Sequence, residues 1–111
     1  MSFQFRNMNV YKKALFYKKT INTILRDNKT DKDIKDQFKR AATSIVLNLA
    51  EGFGRFYSRD KKRFYITARG SVNECVACAD IIYDSNIPDS FLKDSEEIAK
   101  MLTGLINRYN K

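Results

Sequence analysis

The chain has 111 residues, 43% of them hydrophobic, and its 21 lysines and arginines outnumber 13 aspartates and glutamates to give a net charge of +8. This length fits one core, so we expect residues 1–111 to form a single domain. No apolar run approaches the ~20 residues of a membrane span and the N-terminus has no signal-peptide pattern, so we expect a cytoplasmic protein with reduced thiols and no membrane partner.

The positive charge is concentrated in the first part of the chain. Residues 1–69 contain 17 basic and 6 acidic side chains, whereas residues 70–111 contain 4 and 7. Because so uneven a distribution attracts polyanions, nucleic acid is the favoured class of partner. A basic surface that serves only solubility is the alternative.

The first predicted helix carries apolar residues at a 4-3-4-3 spacing, which is one face of a packed helix. They are Val10, Ala14, Tyr17, Ile21 and Ile24. Lys12, Lys19 and Arg26 follow one another at seven-residue intervals on the opposite side, with Lys13 nearby. Phe16 falls among these cations, where a ring can stack on a base, pack against another protein, or simply be exposed.

The second predicted helix begins after Thr30 or Asp31, either of which is a suitable N-cap. Leu47 projects away from its core face and ends up among polar residues. Two glycines close the helix: Gly52 lies on the core face, where it allows a neighbouring helix to approach, and Gly54 suits a left-handed C-terminal position. The core face comprises Ile34, Phe38, Ala41, Ala42, Ile45 and Leu49.

The Gly52-Phe53-Gly54 stretch is not a phosphate-binding loop. A dinucleotide fingerprint requires a glycine where Tyr57 stands, and a Walker loop requires Gly-Lys-Ser/Thr. Glu51 and Arg55 are four residues apart, which predicts a local ion pair.

Downstream, the segment RFYSRDKKRFY (55–65) interleaves cations with aromatic rings. Cations neutralise phosphates while rings stack on unpaired bases, so this is the most suggestive nucleic-acid patch in the sequence. Ser58 is the candidate N-cap of the third helix. The rings are Phe56, Tyr57, Phe64 and Tyr65, and the cations are Arg55, Arg59, Lys61, Lys62, Arg63 and, further on, Arg69.

The third predicted helix has two faces that are small or apolar. The first comprises Phe64, Ala68, Val72, Cys75, Ala79 and Ile82, and the second comprises Ile66, Gly70, Asn73, Ala77 and Ile81. Four helices cannot easily cover both faces, so we predict a homo-oligomer whose interface includes the second face together with Leu47.

The sequence offers little for catalysis or metal binding. Histidine is absent, and Cys75 and Cys78 lie in mid-helix, where two thiols are better explained as small buried residues. The pairs Asp80/Asp84 and Glu96/Glu97 follow ordinary helix-surface patterns. We therefore expect no enzyme activity, no metal site and no cofactor.

The fourth predicted helix follows a turn at 85–88, and its apolar residues are Leu92, Ala99, Leu102 and Ile106. Short connections between helices of similar length favour antiparallel neighbours. The predicted fold is all-α, an up-down-up-down antiparallel four-helix bundle.

Three stretches carry a resemblance to a known family. QFKRAATSIVLNLAEGFGR (37–55), FYITARGSVNE (64–74) and IAKMLTGLINRY (98–109) resemble, in order, the motifs of the four-helix bundle proteins first noted as reading frames in 23S rRNA intervening sequences. The central motif is specific. By position, its residues here are Arg40, Asn48, Glu51, Gly52, Gly54 and Arg55.

This resemblance implies a bundle that assembles into a ring-shaped homopentamer with a basic surface. One branch of the family, the accessory variability determinant (Avd) of diversity-generating retroelements, binds nucleic acid and partners a reverse transcriptase. The leading hypothesis is thus a non-catalytic, oligomeric RNA/DNA-binding accessory protein. The alternative is an oligomeric scaffold, encoded in a 23S rRNA intervening sequence, that docks a protein and has no direct nucleic-acid role.

Overall fold

The computed structural model describes residues 2–82 and 87–110, which form four α-helices after a short 3₁₀ helix at Gln4–Asn7. No β-strand occurs in these two ranges, so the all-α prediction is confirmed. No helix among the described residues is both long and apolar enough to span a membrane. The helices are α1 (Asn9–Arg26), α2 (Lys32–Phe53), α3 (Ser58–Ile81) and α4 (Ser90–Arg108).

Helices α2 and α3 pack along their whole length in opposite directions. Near the start of α2, the Gln37 side chain donates a hydrogen bond to Glu74 in the second half of α3. At the other end, Gly52 lies against Tyr65 near the start of α3. The two helices therefore form an antiparallel hairpin joined by residues 54–57.

Helices α1 and α4 close the bundle. Lys13 Nζ lies 3.0 Å from a Glu97 carboxylate oxygen, and the Tyr17 hydroxyl lies 2.7 Å from Ser95 Oγ. The later residue of α1 pairs with the earlier residue of α4, so these helices are also antiparallel. Each helix packs on its chain neighbours, α1 also packs on α4, and α1 and α3 lie diagonally opposite, with Tyr17 of α1 contacting Cys75 of α3 inside the bundle. The four-helix bundle is confirmed.

The core largely follows the predicted helix faces. All five apolar residues predicted for α1 are buried, and so are those of α2 except Ile34, which is half-buried. On α3 the prediction is wrong at one point: Phe64 is half-buried, whereas Tyr65 is only 1% exposed. Gly52 explains the difference, because the missing side chain leaves the space that the Tyr65 ring fills.

The core face predicted for α4 is wrong at Leu92, which is 54% exposed. Phe91 is buried instead: its ring stacks on Tyr17 at 5.3 Å and meets Phe38 edge-on at 6.0 Å. The face was misassigned because it contains a serine, Ser95, which is buried through its hydrogen bond to Tyr17. The buried residues of α4 are Phe91, Ser95, Ile98 and Leu102.

Two predictions about helix ends require correction. Gly54 has φ −78° and ψ −7°, so the predicted left-handed conformation is wrong; the chain continues in a right-handed turn in which the Gly54 N–H bonds to the Ala50 carbonyl. Ser58 is the first residue of α3, and the N-cap position belongs to Tyr57. Asp31, one of the two predicted candidates, is the N-cap residue of α2, and its side chain makes no capping hydrogen bond. Asp84 and the first half of the predicted 85–88 turn lie outside the described residues.

Candidate nucleic-acid interface

Contacts on both flanks, from the end of α2 and from the start of α3, fix the α2–α3 turn, residues 54–57. Lys61 Nζ, from the first turns of α3, donates to the Phe53 carbonyl at 2.6 Å and lies 5.4 Å from the centroid of the Phe53 ring. A cation here satisfies a backbone carbonyl at the C-terminus of α2 and complements the helix dipole. Arg55 pairs with Glu51 at 3.0 Å, as predicted. The turn is a short, fixed connection.

The aromatic residues around this turn differ sharply in exposure. Phe56 is 95% exposed and Tyr57 is 71% exposed. Phe64 is half-buried, and the buried Tyr65 ring has no face available to a ligand. Of the four rings predicted to interleave with cations, only Phe56 and Tyr57 are displayed to solvent.

Two arginines converge on the Phe64 ring. The guanidinium carbon of Arg55 lies 4.6 Å from the ring centroid, and that of Arg63 lies 5.1 Å from it. Arg63 is also 4.0 Å from Asp60, a loose contact. Because a guanidinium has five N–H donors, each arginine can bind its acidic neighbour and still donate hydrogen bonds to another group. Phe64 thus holds two cations beside the turn.

The remaining cations of this segment serve different purposes. Lys61 is occupied at the end of α2, and Lys62 donates to the Asn110 side chain. Arg59 is exposed and has no acidic partner within residues 2–82 and 87–110. The sequence could not separate these roles, because the partners of Lys61 and Lys62 lie on other elements.

The cations predicted on α1 form a second surface. Lys12, Lys19 and Arg26 are exposed, and none has an acidic partner in the part of the chain that the structure describes. Seven-residue spacing places successive cations about 10.5 Å apart along the helix. Lys13 differs because it pairs with Glu97. These cations lie on a helix that is diagonal to α3, although the first residues of α1 share a pocket with Phe53 at the end of α2.

The predicted oligomer face of α3 is exposed in the single chain. Ile66 and Ile81 are about half exposed, and Gly70, Asn73 and Ala77 are exposed as well. The first part of this face lines an open groove of about 420 Å³ between α3 and α4, which places Arg69 beside Ile66 and Gly70 rather than at the turn. Arg69 is the one residue among the predicted nucleic-acid contacts, all of which the structure describes, that lines this groove.

Leu47 lies on another side of the molecule. It is exposed and lines a hollow on α2 with Ala50, Glu51, Gly54 and Arg55. No residue of this hollow lines the α3–α4 groove. The residues predicted to form one oligomer interface therefore occupy two distinct patches.

Both cysteines are buried thiols, as predicted. Burial raises the pKa of Cys75 to about 12 and also raises the pKa of Cys78. Within residues 2–82 and 87–110, no three His, Cys, Asp or Glu side chains are grouped so that they could hold a metal ion.

Polar residues of the central motif help to join α2 to α3. Asn48 donates to the Ser44 carbonyl at 2.8 Å, and Ser44 Oγ accepts a 2.8 Å hydrogen bond from Ser71 Oγ on α3. Arg40 donates to Gln37 Oε1 at 2.8 Å. Sequence spacing could not reveal the role of Ser71, because its partner is 27 residues away.

These motif residues lie inside the range matched by a family model. The model of the 23S rRNA-intervening sequence protein matches residues 6–104. The chain belongs to this family. A search of curated proteins gives no match. In this 23S rRNA-intervening sequence protein, the matched range includes the α2–α3 turn, the α1 cations and the exposed face of α3.

Proposed function

We propose that this 23S rRNA-intervening sequence protein is a non-catalytic, oligomeric accessory protein that binds RNA or DNA in the cytoplasm. One observation carries the proposal: cations that lack acidic partners in the described chain occur on two surfaces, Lys12, Lys19 and Arg26 on α1 and Arg59 beside the exposed rings at the turn. Unpaired surface cations release counterions when they bind phosphates, which drives association.

Assembly strengthens this binding. The exposed α3 face and the Leu47 hollow are two different patches, and a contact between different patches on successive copies is head-to-tail and can close into a ring. The family resemblance favours five copies. A ring repeats each basic surface, so several weak contacts combine on one nucleic-acid strand.

The proposed protein partner is a reverse transcriptase. Support comes from the resemblance of residues 37–55 to the motif of a family that includes the Avd branch, together with the excess of positive charge in residues 1–69. A protein that holds both a nucleic acid and the polymerase acting on it needs more than one surface, and this chain has exposed cations both on α1 and at the α2–α3 turn.

A titration tests nucleic-acid binding. The full chain is added to labelled RNA and DNA, single-stranded and duplex, at 50 and 200 mM salt, and we expect affinity to fall steeply with salt.

Combined Lys12→Gln and Lys19→Gln changes should weaken binding and reduce the salt slope by about 2. Lys93→Gln, which changes an exposed lysine on α4, a helix with equal numbers of acidic and basic residues, is the matched control. Absence of binding to every probe at 50 mM salt refutes the proposal.

A protein-docking scaffold is the second candidate. The exposed Leu47, Ile66 and Ile81 side chains favour it, because apolar surface of this kind is typical of protein interfaces. A complex between this chain and a protein that survives both nuclease and high salt, without binding to any nucleic-acid probe, supports the scaffold instead.

A further inference from the structure

We propose that the α2–α3 turn is a binding site for single-stranded nucleic acid. In this site Phe56 and Tyr57 stack on unpaired bases while Arg55, Arg59 and Arg63 bind the adjoining phosphates. The inference rests on the proposed function and specifies the kind of nucleic acid that this surface takes.

The two rings are available for stacking. Phe56 is 95% exposed, so packing within the chain does not account for an aromatic residue at this position. The Phe56 and Tyr57 ring centroids are 6.3 Å apart and the ring planes are tilted by 49°, so neither ring covers the face of the other. Each ring therefore has a face that a base can occupy.

Phosphate-binding groups lie next to the rings. Arg55 and Arg63 both approach the Phe64 ring, so the two guanidinium carbons are at most about 10 Å apart. Guanidinium groups bind phosphate oxygens through paired N–H donors, and Arg59 adds a cation with no acidic partner among the described residues.

The chemistry of the site selects unpaired bases. In a duplex the base faces are stacked on one another, whereas in a single strand they can be splayed out onto aromatic side chains. The Lys61 contact to Phe53 and the packing of Gly52 on Tyr65 fix the turn, so its rings need little ordering on binding. Rings that are displayed on a fixed turn suit a flexible strand.

The first experiment compares ring variants by fluorescence anisotropy on a labelled single-stranded RNA and on the matching duplex. Phe56→Leu and Tyr57→Leu keep apolar bulk and remove the ring. We expect each change to weaken single-strand binding about 5- to 100-fold, which corresponds to the range for loss of base stacking, and to leave duplex binding within twofold. Phe16→Leu, which removes an exposed ring beside the α1 cations, is the matched control and should change both affinities less than twofold.

A second measurement reports on the ring directly. The chain contains six tyrosines and no tryptophan, so Phe56→Trp introduces a single tryptophan at the turn, whose emission can be excited apart from that of the tyrosines. Single-stranded RNA should quench its emission and shield it from acrylamide, whereas a tryptophan at the exposed Leu92 position (Leu92→Trp) should be unaffected.

The outcomes separate the two proposals. If no nucleic acid binds, the proposed function itself is wrong. If binding is salt-dependent but Phe56→Leu binds single strands as tightly as the parent chain does, only the single-strand site is wrong. The same conclusion follows if Phe56→Leu loses affinity for single strands and for duplexes equally. If Phe56→Leu lowers the assembly mass and leaves single-strand binding intact, the ring belongs to a contact between copies and the inference is overturned.

Discussion

The Tyr65 ring occupies the space that a side chain at Gly52 would need. A Cβ placed on Gly52 would lie 2.7 Å from Tyr65 Cε1 and 3.0 Å from Phe64 Cβ. Neither atom can move freely, because Tyr65 is buried and Phe64 Cβ is attached to the α3 backbone. The first glycine of the central motif is thus required by the packing of α3 on α2.

Gly52→Ala should therefore destabilise the protein. Overpacking costs about 1–3 kcal/mol and outweighs the roughly 0.5–1 kcal/mol that alanine gains over glycine inside a helix. Urea unfolding measures the change. Gly104→Ala is the control: no atom lies within 4 Å of its new Cβ, so it should stabilise α4 slightly. Equal effects of the two substitutions would contradict the packing of Tyr65 on Gly52.

Replacing Lys61 should lower the stability of the fold, whereas replacing Arg59 should lower the affinity for nucleic acid. Lys61→Gln removes the contact to the Phe53 carbonyl, and we expect a loss of about 1 kcal/mol in the free energy of unfolding. Arg59→Gln removes an exposed cation, so stability should change by less than about 0.5 kcal/mol. Its nucleic-acid affinity should fall, with a salt slope reduced by about 1. Chemical denaturation and the binding titration, performed on both variants, check this division.

The buried Tyr17–Ser95 hydrogen bond joins α1 to α4. The Tyr17 hydroxyl lies 2.7 Å from Ser95 Oγ and also contacts Cys75, and Ser95 Oγ donates to the Phe91 carbonyl at 2.8 Å. Tyr17→Phe removes the hydroxyl and should cost about 0.5–1.5 kcal/mol, and Ser95→Ala should cost a similar amount because Cys75 remains as a partner of Tyr17. A double-mutant cycle by urea unfolding should give a coupling that is absent from the pair Tyr17→Phe with Gly104→Ala.

Stability should decline above pH 9 because of Cys75. Burial raises the pKa of this thiol from 9.0 to about 12 in the folded chain. The unfolded chain therefore releases the proton first, and the stabilisation that is complete below pH 9 is lost as pH rises towards 12. One such group contributes up to about 1.4 kcal/mol per pH unit. Unfolding free energies at pH 8 and pH 10, in reductant, should fall less for Cys75→Ala than for the parent chain.

Ala77→Glu tests the proposed assembly. A charge on the exposed face of α3 should break a contact between copies while leaving each bundle helical. Light scattering should report about 65 kDa for a pentamer of the parent chain and 13.0 kDa for the variant. Asn22→Glu, on the exposed side of α1, is the control and should retain the parent mass. A parent chain that is already 13.0 kDa contradicts the assembly.

The sequence predicted those parts of the structure that depend on local periodicity. The apolar spacing from Val10 to Ile24 identified the core face of α1, and the i,i+4 spacing identified the Glu51–Arg55 ion pair. The core face of α4 was predicted wrongly because Ser95 is polar yet buried, and its hydrogen-bond partner, Tyr17, is 78 residues away in the sequence.

The candidate site was predicted in composition but not in geometry. The interleaved rings and cations of residues 55–65 were visible in the sequence. The Tyr65 ring is buried because Gly52 leaves space for it, and the Lys61 ammonium group is hydrogen-bonded because the Phe53 carbonyl lies beside it. Both are contacts between helices, so no pattern within one helix could distinguish Tyr65 from Tyr57 or Lys61 from Arg59.

The four-residue connection between α2 and α3 also bears on the order in which the chain folds. Bringing these helices together closes only a short loop, and the loss of chain entropy is correspondingly small. Pairing Tyr17 with Ser95 closes 78 residues and becomes favourable once the intervening helices are compact. We expect the α2–α3 hairpin, with the turn that displays Phe56, to form early, and the seam between α1 and α4 to close last.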